Sequence, residues 1–160
     1  MKKLPGNAWY VTPYTVVRRE NTTIQIGQTS SLPLHYAPPK CCVFGYHGSK
    51  KLSDALSYGA FVSHYNIYIY RVHITGDIDK ERDKFCGRDR TYLSALRVSS
   101  RTAELLYALL DRSKVYPTLD EGALKKYSAK ERKEIRANFE QFLSYFVNSN
   151  FVLAPPRTKK

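Results

Sequence analysis

The sequence predicts an α+β fold: a small, mainly antiparallel sheet drawn from the N-terminal half, with two or three C-terminal helices packed on one face. Three observations carry this reading. Trp9 to Val17 and Asn66 to Thr75 are dense in aromatic and β-branched residues, and the second alternates with period two. From residue 99 onward, apolar residues recur at helical spacing behind serine caps. Strands gathered early and helices gathered late indicate segregated layers, not alternating βαβ units. With 160 residues the chain is long enough for one domain with a true core. We assign that domain to 1–153 and a proline-stiffened basic tail, APPRTKK, free to be disordered, to 154–160.

In order, WYVTPYTVV (Trp9 to Val17) reads as a strand broken or edged at Pro13, which cannot donate to a ladder. Arg18 to Asn21 is a turn, Thr22 to Ile26 a short strand ended by Gly27, and Gln28 to Lys40 a loop holding three prolines. Cys42 to Tyr58, CVFGYHGSKKLSDALSY, reads as a strand, a glycine-bracketed turn and a helix from about Lys50, with Ser49 as N-cap. In NIYIYRVHIT, Tyr68, Tyr70, Val72 and Ile74 form a core face. The opposite face, Ile67, Ile69, Arg71, His73 and Thr75, turns polar toward solvent or a cleft. Gly76 to Arg90, with charges of both signs, reads as a solvated connector. Tyr92, Leu93 and Leu96 mark a short strand or turn. Ser99 or Ser100 caps a helix through Leu110, and Tyr116-Pro117 stops it. Thr118-x-x-Glu121 and Ser128-x-x-Glu131 are both capping-box patterns, and the second opens a helix with Ile135, Phe139, Phe142, Leu143 and Phe146 on one stripe.

Lys and Arg number 26 against 14 acidic residues, a net charge of +12 spread along the whole chain. That balance points to nucleic acid, an acidic protein surface or an anionic membrane. Thirteen tyrosines add amphipathic rings able to stack on bases. No apolar run approaches the roughly 18 residues of a spanning helix, so no membrane insertion is expected. Three cysteines, two of them adjacent, do not form a secreted disulfide framework, and MKKLPGNAWY lacks a signal-peptide core. A reducing cytoplasm is the expected compartment.

The sharpest local site lies where the GYHGS bend meets its helix. Unpaired amides beside Ser49, Lys50 and Lys51 would hold a phosphate or carboxylate. Arg71, Lys84, Arg88 and Arg90 are placed near it, and Lys130, Arg132, Lys133 and Arg136 crowd the start of the last helix, against its macrodipole. These cations would position phosphates and read little sequence. Each has an ordinary alternative as a solvated surface charge, as His73 does as a half-exposed strand residue. Other chemistries carry weaker signals. Cys42, His47 and Cys86 offer three ligands to a metal without a Cys-x-x-Cys pair, so no metal is expected. The cysteine–histidine pairings lack a nucleophile spacing, and Gly45-Tyr46-His47-Gly48 follows a strand, unlike the loop of a KH domain.

The blocks Cys42-x-x-Gly45-x-His47-x-Ser49, Asp54-Ala55-Leu56-x-Tyr58, Arg71-Val72-x-x-x-Gly76-x-Ile78 and Asp83-Lys84 resemble those of an uncharacterised family of phage and bacterial proteins. The likeness runs over about residues 8 to 110. It implies a phage-type accessory protein in a bacterial host cell, with a host-takeover or anti-defence role and without an assigned activity. From the charge we expect it to bind nucleic acid or a nucleic-acid-bearing host complex. Direct contact with a host defence protein is a further alternative. A more distant resemblance joins the WYVT strand and the Tyr-His-Gly-Ser segment to ADP-ribosyltransferase-like folds. It implies an NAD-binding enzyme with His47, Tyr46 and Tyr10 at its site, although a strand glutamate of the kind many such enzymes use is not evident. No cofactor is expected unless that enzyme reading holds, in which case it is NAD.

Overall fold

The computed structural model describes residues 3–17, 22–33, 37–41, 44–59 and 66–148. The turn expected over 18–21, Cys42 and the basic tail lie outside the described residues. In chain order the elements are β1 (Ala8–Thr12), β2 (Val16–Val17), β3 (Thr22–Thr23), β4 (Thr29–Ser31), β5 (Tyr46–Gly48) and α1 (Leu52–Gly59). Then come β6 (Asn66–Thr75), β7 (Asp79–Lys80), β8 (Phe85–Gly87), β9 (Asp89–Ser99), α2 (Ser100–Leu109), α3 (Glu121–Leu124) and α4 (Ala129–Val147).

The fold is α+β. A four-stranded antiparallel sheet runs β1-β6-β9-β4, a three-stranded one runs β5-β8-β7, and β2 pairs with β3. Alternation along β1 and β6 gives the central sheet two unlike faces. Trp9, Val11, Ile67 and Ile69 pack against Leu52, Ala55 and Leu56 of α1, Ala103 of α2 and Phe146 of α4. Ala8, Tyr70, Val72, Ile74 and Tyr92 pack on the other side with Tyr46 and Phe85 of the small sheet. Helices therefore cover one face, and the small sheet leans on the other. Phe146, fully buried, meets Trp9 edge-on at 5.0 Å between ring centroids, which ties the last helix to the first strand.

Several elements match the sequence reading. The break at Pro13, the whole of β6, the Ser99 cap of α2 and the reciprocal Ser128–Glu131 capping box are all present. Others differ. Residues 29–31, expected within a loop, form β4, and Thr29 Oγ1 bonds Thr91 Oγ1 at 2.7 Å. The expected connector 76–90 contains β7, β8 and the start of β9, because Asp79 and Lys80 pair with Cys86 and Phe85 in a hairpin, with Asp77 and Arg88 paired at its open end. The segment 92–96 belongs to the eleven-residue β9, whose period is interrupted by a bulge opposite Arg71/Val72. Asp120, not Thr118, caps α3. The strand expected over 22–26 stops at Thr23.

Among the described residues, β4 covers Asp89–Thr91 of β9, and Gly27 and Gln28 extend the backbone bonding to Tyr92. Further along that edge, the Tyr145 hydroxyl of α4 donates to the Ala95 carbonyl. Among the described residues, no helix is long and apolar enough to cross a membrane.

Candidate functional site

The bend that sequence reasoning made a phosphate site is built differently. Gly45 takes a φ of +119°, open to glycine, and the chain then runs alongside β1. A Cβ on Gly48 would lie 2.8 Å from the Ala8 Cβ, so the close approach itself requires glycine. Ser49 is buried in a bridge with Trp9, its amide donating to the Trp9 carbonyl at 2.9 Å, and so it does not cap a helix. α1 begins only at Leu52. Lys51 Nζ donates to the Arg112 carbonyl at 3.0 Å. Lys50 and Lys51 share a small groove with Asp54, Glu81 and Asp83, as well as Lys80, Arg82 and Lys84, so its charge is mixed.

The cations do not assemble on one surface. Arg88 is buried, with Nε 2.6 Å from Asp77 Oδ2 and Nη1 donating to the Pro33 carbonyl. Arg136 makes a bidentate pair with Glu121 at 2.6 and 2.8 Å. Arg132 donates to the Tyr127 carbonyl, while Lys130 and Lys133 stand on the exposed side of α4. Lys84 lies 4.9 Å from the centroid of the Tyr58 ring. Arg71 is buried on the helix-covered face of β6 and borders a cavity there, the cleft side of the expectation, whereas His73 is exposed as expected.

Arg90 has the most informative surroundings. Opposite Ile74 in the register, it projects from β9 onto the face that carries Tyr10, Tyr70 and Tyr92. It is 4% exposed. Its guanidinium carbon sits 3.7 Å from the Tyr10 ring centroid, 5.1 Å from that of Tyr46 and 5.2 Å from that of Tyr92. Nη1 donates to the His47 carbonyl at 2.9 Å and Nε to Tyr92 Oη at 3.1 Å. Tyr92 Oη lies 3.2 Å from Ser30 Oγ. Among the described residues no carboxylate pairs with Arg90, in contrast with Arg88 and Arg136. Desolvating an unpaired guanidinium costs several kcal/mol, only partly offset by neutral acceptors and ring contacts at about 0.5–2 kcal/mol each.

Arg90 forms part of the wall of a cleft of about 410 Å³, together with Tyr10, Thr12, Tyr14, Tyr46, His47 and Tyr58. The cleft lies between β1, β5 and the end of α1. Gly59 closes that helix against β1, since a Cβ there would fall 1.8 Å from the Val11 carbonyl oxygen. His47 meets Tyr10 edge-on at 5.5 Å. Solvent reaches His47 from the cleft. Nevertheless the protein packed behind the imidazole, and then the Arg90 charge, push its pKa down to about 4. The downward direction is what matters, because the ring is neutral at pH 7. At the rim, Tyr58 Oη donates to Asp83 Oδ2 at 2.5 Å, holding that carboxyl below its usual range.

Sequence reasoning named Tyr10, Tyr46, His47 and Arg90, and these four converge. It missed Thr12, Tyr14 and Tyr58 as lining residues and Tyr92 as the Arg90 acceptor. For Tyr10, Thr12 and Tyr14 the period-two spacing was a usable signal; for Tyr58 none was. The cysteine grouping also differs: the side-chain ligand atoms of Cys41, Asp79 and Cys86 lie within 4.8 Å of one another, and His47 is not among them. Burial, and then the neighbouring Cys41 side chain, push the Cys86 thiol up to about 12, and burial raises Cys41, so both are protonated and poor nucleophiles at neutral pH.

Compared with family models, curated proteins and solved structures, the chain matches none of them.

Proposed function

We propose that this chain is a phage-type accessory protein whose Tyr10–His47–Arg90 cleft binds a nucleotide-bearing anion. The observation that carries the reading is Arg90: a buried cation, ringed by aromatic faces, on the wall of an open cleft and without a carboxylate partner among the described residues. A phosphate oxygen beside the guanidinium would supply the missing countercharge in a poorly solvated setting, where such a pair is strongest. Tyr10, Tyr14 and Tyr58 offer ring surface for a base. The volume falls within the roughly 300–1,000 Å³ typical of small-molecule sites and suits one nucleotide unit better than a duplex.

NAD is the ligand that the resemblance of the Tyr46-His47 segment implies, and one of its two nucleotide halves would occupy this cleft, which Tyr10, Tyr46 and His47 line. No acidic residue lines it among the described residues, so the reading is of binding and orientation, with neutral His47 as a hydrogen-bonding group and no general base assigned. Thermal denaturation with NAD and with a nucleoside monophosphate tests this. Ligand at a hundred times Kd should stabilise by about 2.7 kcal/mol, and His47→Ala should abolish or sharply reduce that protection. No protection by either ligand at millimolar concentration overturns it.

Binding to a nucleic-acid strand or an acidic protein surface is the second reading. It rests on the net charge of +12 and on Lys130 and Lys133, exposed on α4. Nucleic-acid binding would weaken steeply with salt, with a logarithmic slope near 0.9 per phosphate contacted on duplex DNA. A flat response removes it. A stable complex insensitive to nuclease would select direct contact with a host protein instead.

A further inference from the structure

A second buried arginine without a carboxylate partner among the described residues lies on the opposite face of the central sheet. Arg71 of β6 stands across from Trp9 of β1, and its guanidinium carbon is 4.5 Å from the Trp9 ring centroid. Adjacent residues of β1 thus serve two arginines: Tyr10 covers Arg90 on one face, and Trp9 covers Arg71 on the other. Arg71 is 7% exposed. Nε and Nη2 donate to the carbonyls of Pro5 and Gly6 at 2.6 and 3.1 Å, while Nη1 is buried without a hydrogen-bond partner among the described residues. Both acceptors are neutral, so no countercharge meets the guanidinium among the described residues. Burial lowers the group to about 10, well above pH 7, and it remains a cation.

Arg71 borders a cavity of about 430 Å³ whose other polar lining includes Lys3, Asn7 and Lys50. Lys3 and Lys50 are exposed, and neither makes an ion pair among the described residues. No acidic side chain lines the cavity among the described residues, unlike the mixed-charge groove beyond Lys50. Three cations therefore face one space. The apolar remainder, Leu4, Trp9, Val115 and Pro117, lowers the local dielectric and strengthens their joint field.

We propose that this cavity is a second oxyanion site, for a phosphate group. Lys3 and Lys50 contact the oxygens directly and the Arg71 charge supports them from beneath. It is independent of the Arg90 cleft, being on the other face of the sheet. It also gives Lys50 the anion-binding role the sequence suggested, with Arg71 and Lys3 in place of the helix amides.

Trp9 is the sole tryptophan and lies against Arg71, so its emission, excited where tyrosine does not absorb, is a built-in reporter. The full chain is titrated with inorganic phosphate and, separately, a nucleoside monophosphate, at ionic strength held constant with chloride, with calorimetry in parallel. A saturable response to either, absent with chloride, is expected; the tighter of the two shows whether free phosphate or a phosphate ester is the source. Lys50→Glu, an exposed change that leaves the core intact, should weaken binding at least tenfold, and His47→Ala should leave it within twofold. The proposal is overturned if neither probe saturates by emission or calorimetry, if Lys50→Glu binds like the parent, or if His47→Ala removes the response and so assigns it to the other cleft.

Discussion

Replacing Arg90 with methionine separates its contribution to folding from its contribution to binding. The substitution removes two charge-assisted hydrogen bonds, to the His47 carbonyl and Tyr92 Oη, at about 1.5 kcal/mol each. It also removes ring contacts worth together about 2 kcal/mol, chiefly that to Tyr10 at 3.7 Å. Against that loss of about 5 kcal/mol stands relief of the several kcal/mol spent desolvating an unpaired guanidinium, while methionine keeps the apolar contacts with the surrounding rings. Stability should therefore fall by no more than about 2 kcal/mol, read from the urea midpoint at unchanged slope. Anion affinity should fall by at least about 3 kcal/mol, more than a hundredfold, read by calorimetry with the ligand that protects the parent chain. A variant that loses more than about 4 kcal/mol of stability, or that binds within threefold of the parent, would refute the assignment of Arg90 to ligand binding.

Four other outcomes follow from the same geometry. The lowered His47 pKa means that the unfolded chain takes up its proton first, so stability is greatest above about pH 6.5 and declines as pH falls toward 4; Tm scans at intervals between these limits should be flatter for His47→Ala. An anion beside Arg90 would raise the same imidazole, so binding should tighten on acidification through this window and take up protons, measurable by calorimetry in buffers of different ionisation enthalpy. Phe146→Ala empties a fully buried site against Trp9 and should cost about 3–5 kcal/mol, or roughly 6–20 °C in Tm. Gly59→Ala forces a Cβ to 1.8 Å from the Val11 carbonyl; it should destabilise the chain and shift the chemical shifts of Tyr10 and Tyr14, whereas Ser57→Ala on the exposed side should do neither.

The legible parts of the fold were those in which local pattern and tertiary environment agree. β6 is aromatic or β-branched along most of its length and α4 carries both halves of its capping box in the sequence, so the strand and the helix start could be placed from residues alone. β9 could not, because DRTYLSALRVS places Asp89, Arg90 and Ser94 in a central strand and loses its period at the bulge. Had Arg90 and Tyr92 been assigned to one face of a strand, the arginine-and-tyrosine cluster would have been visible. Its significance also depends on Tyr10 of β1, more than 75 positions away in the chain and brought onto the same face through β6, which no local window contains. The phosphate site at the helix start failed for a related reason. Ser49 has the side chain of an N-cap, but its backbone is claimed by Trp9, forty residues upstream.

The contact between Tyr145 and Ala95 bears on how copies of this chain behave when crowded together. A long strand with a bare flank invites another strand to dock along it, and chains that leave such flanks open tend to stick. Here a helix leans over the flank of β9 and occupies one of its carbonyls with a phenol, placing a bulky ring where an incoming backbone would have to lie. Loss of that ring would be felt less in the unfolding midpoint than in the concentration at which the protein stays monodisperse.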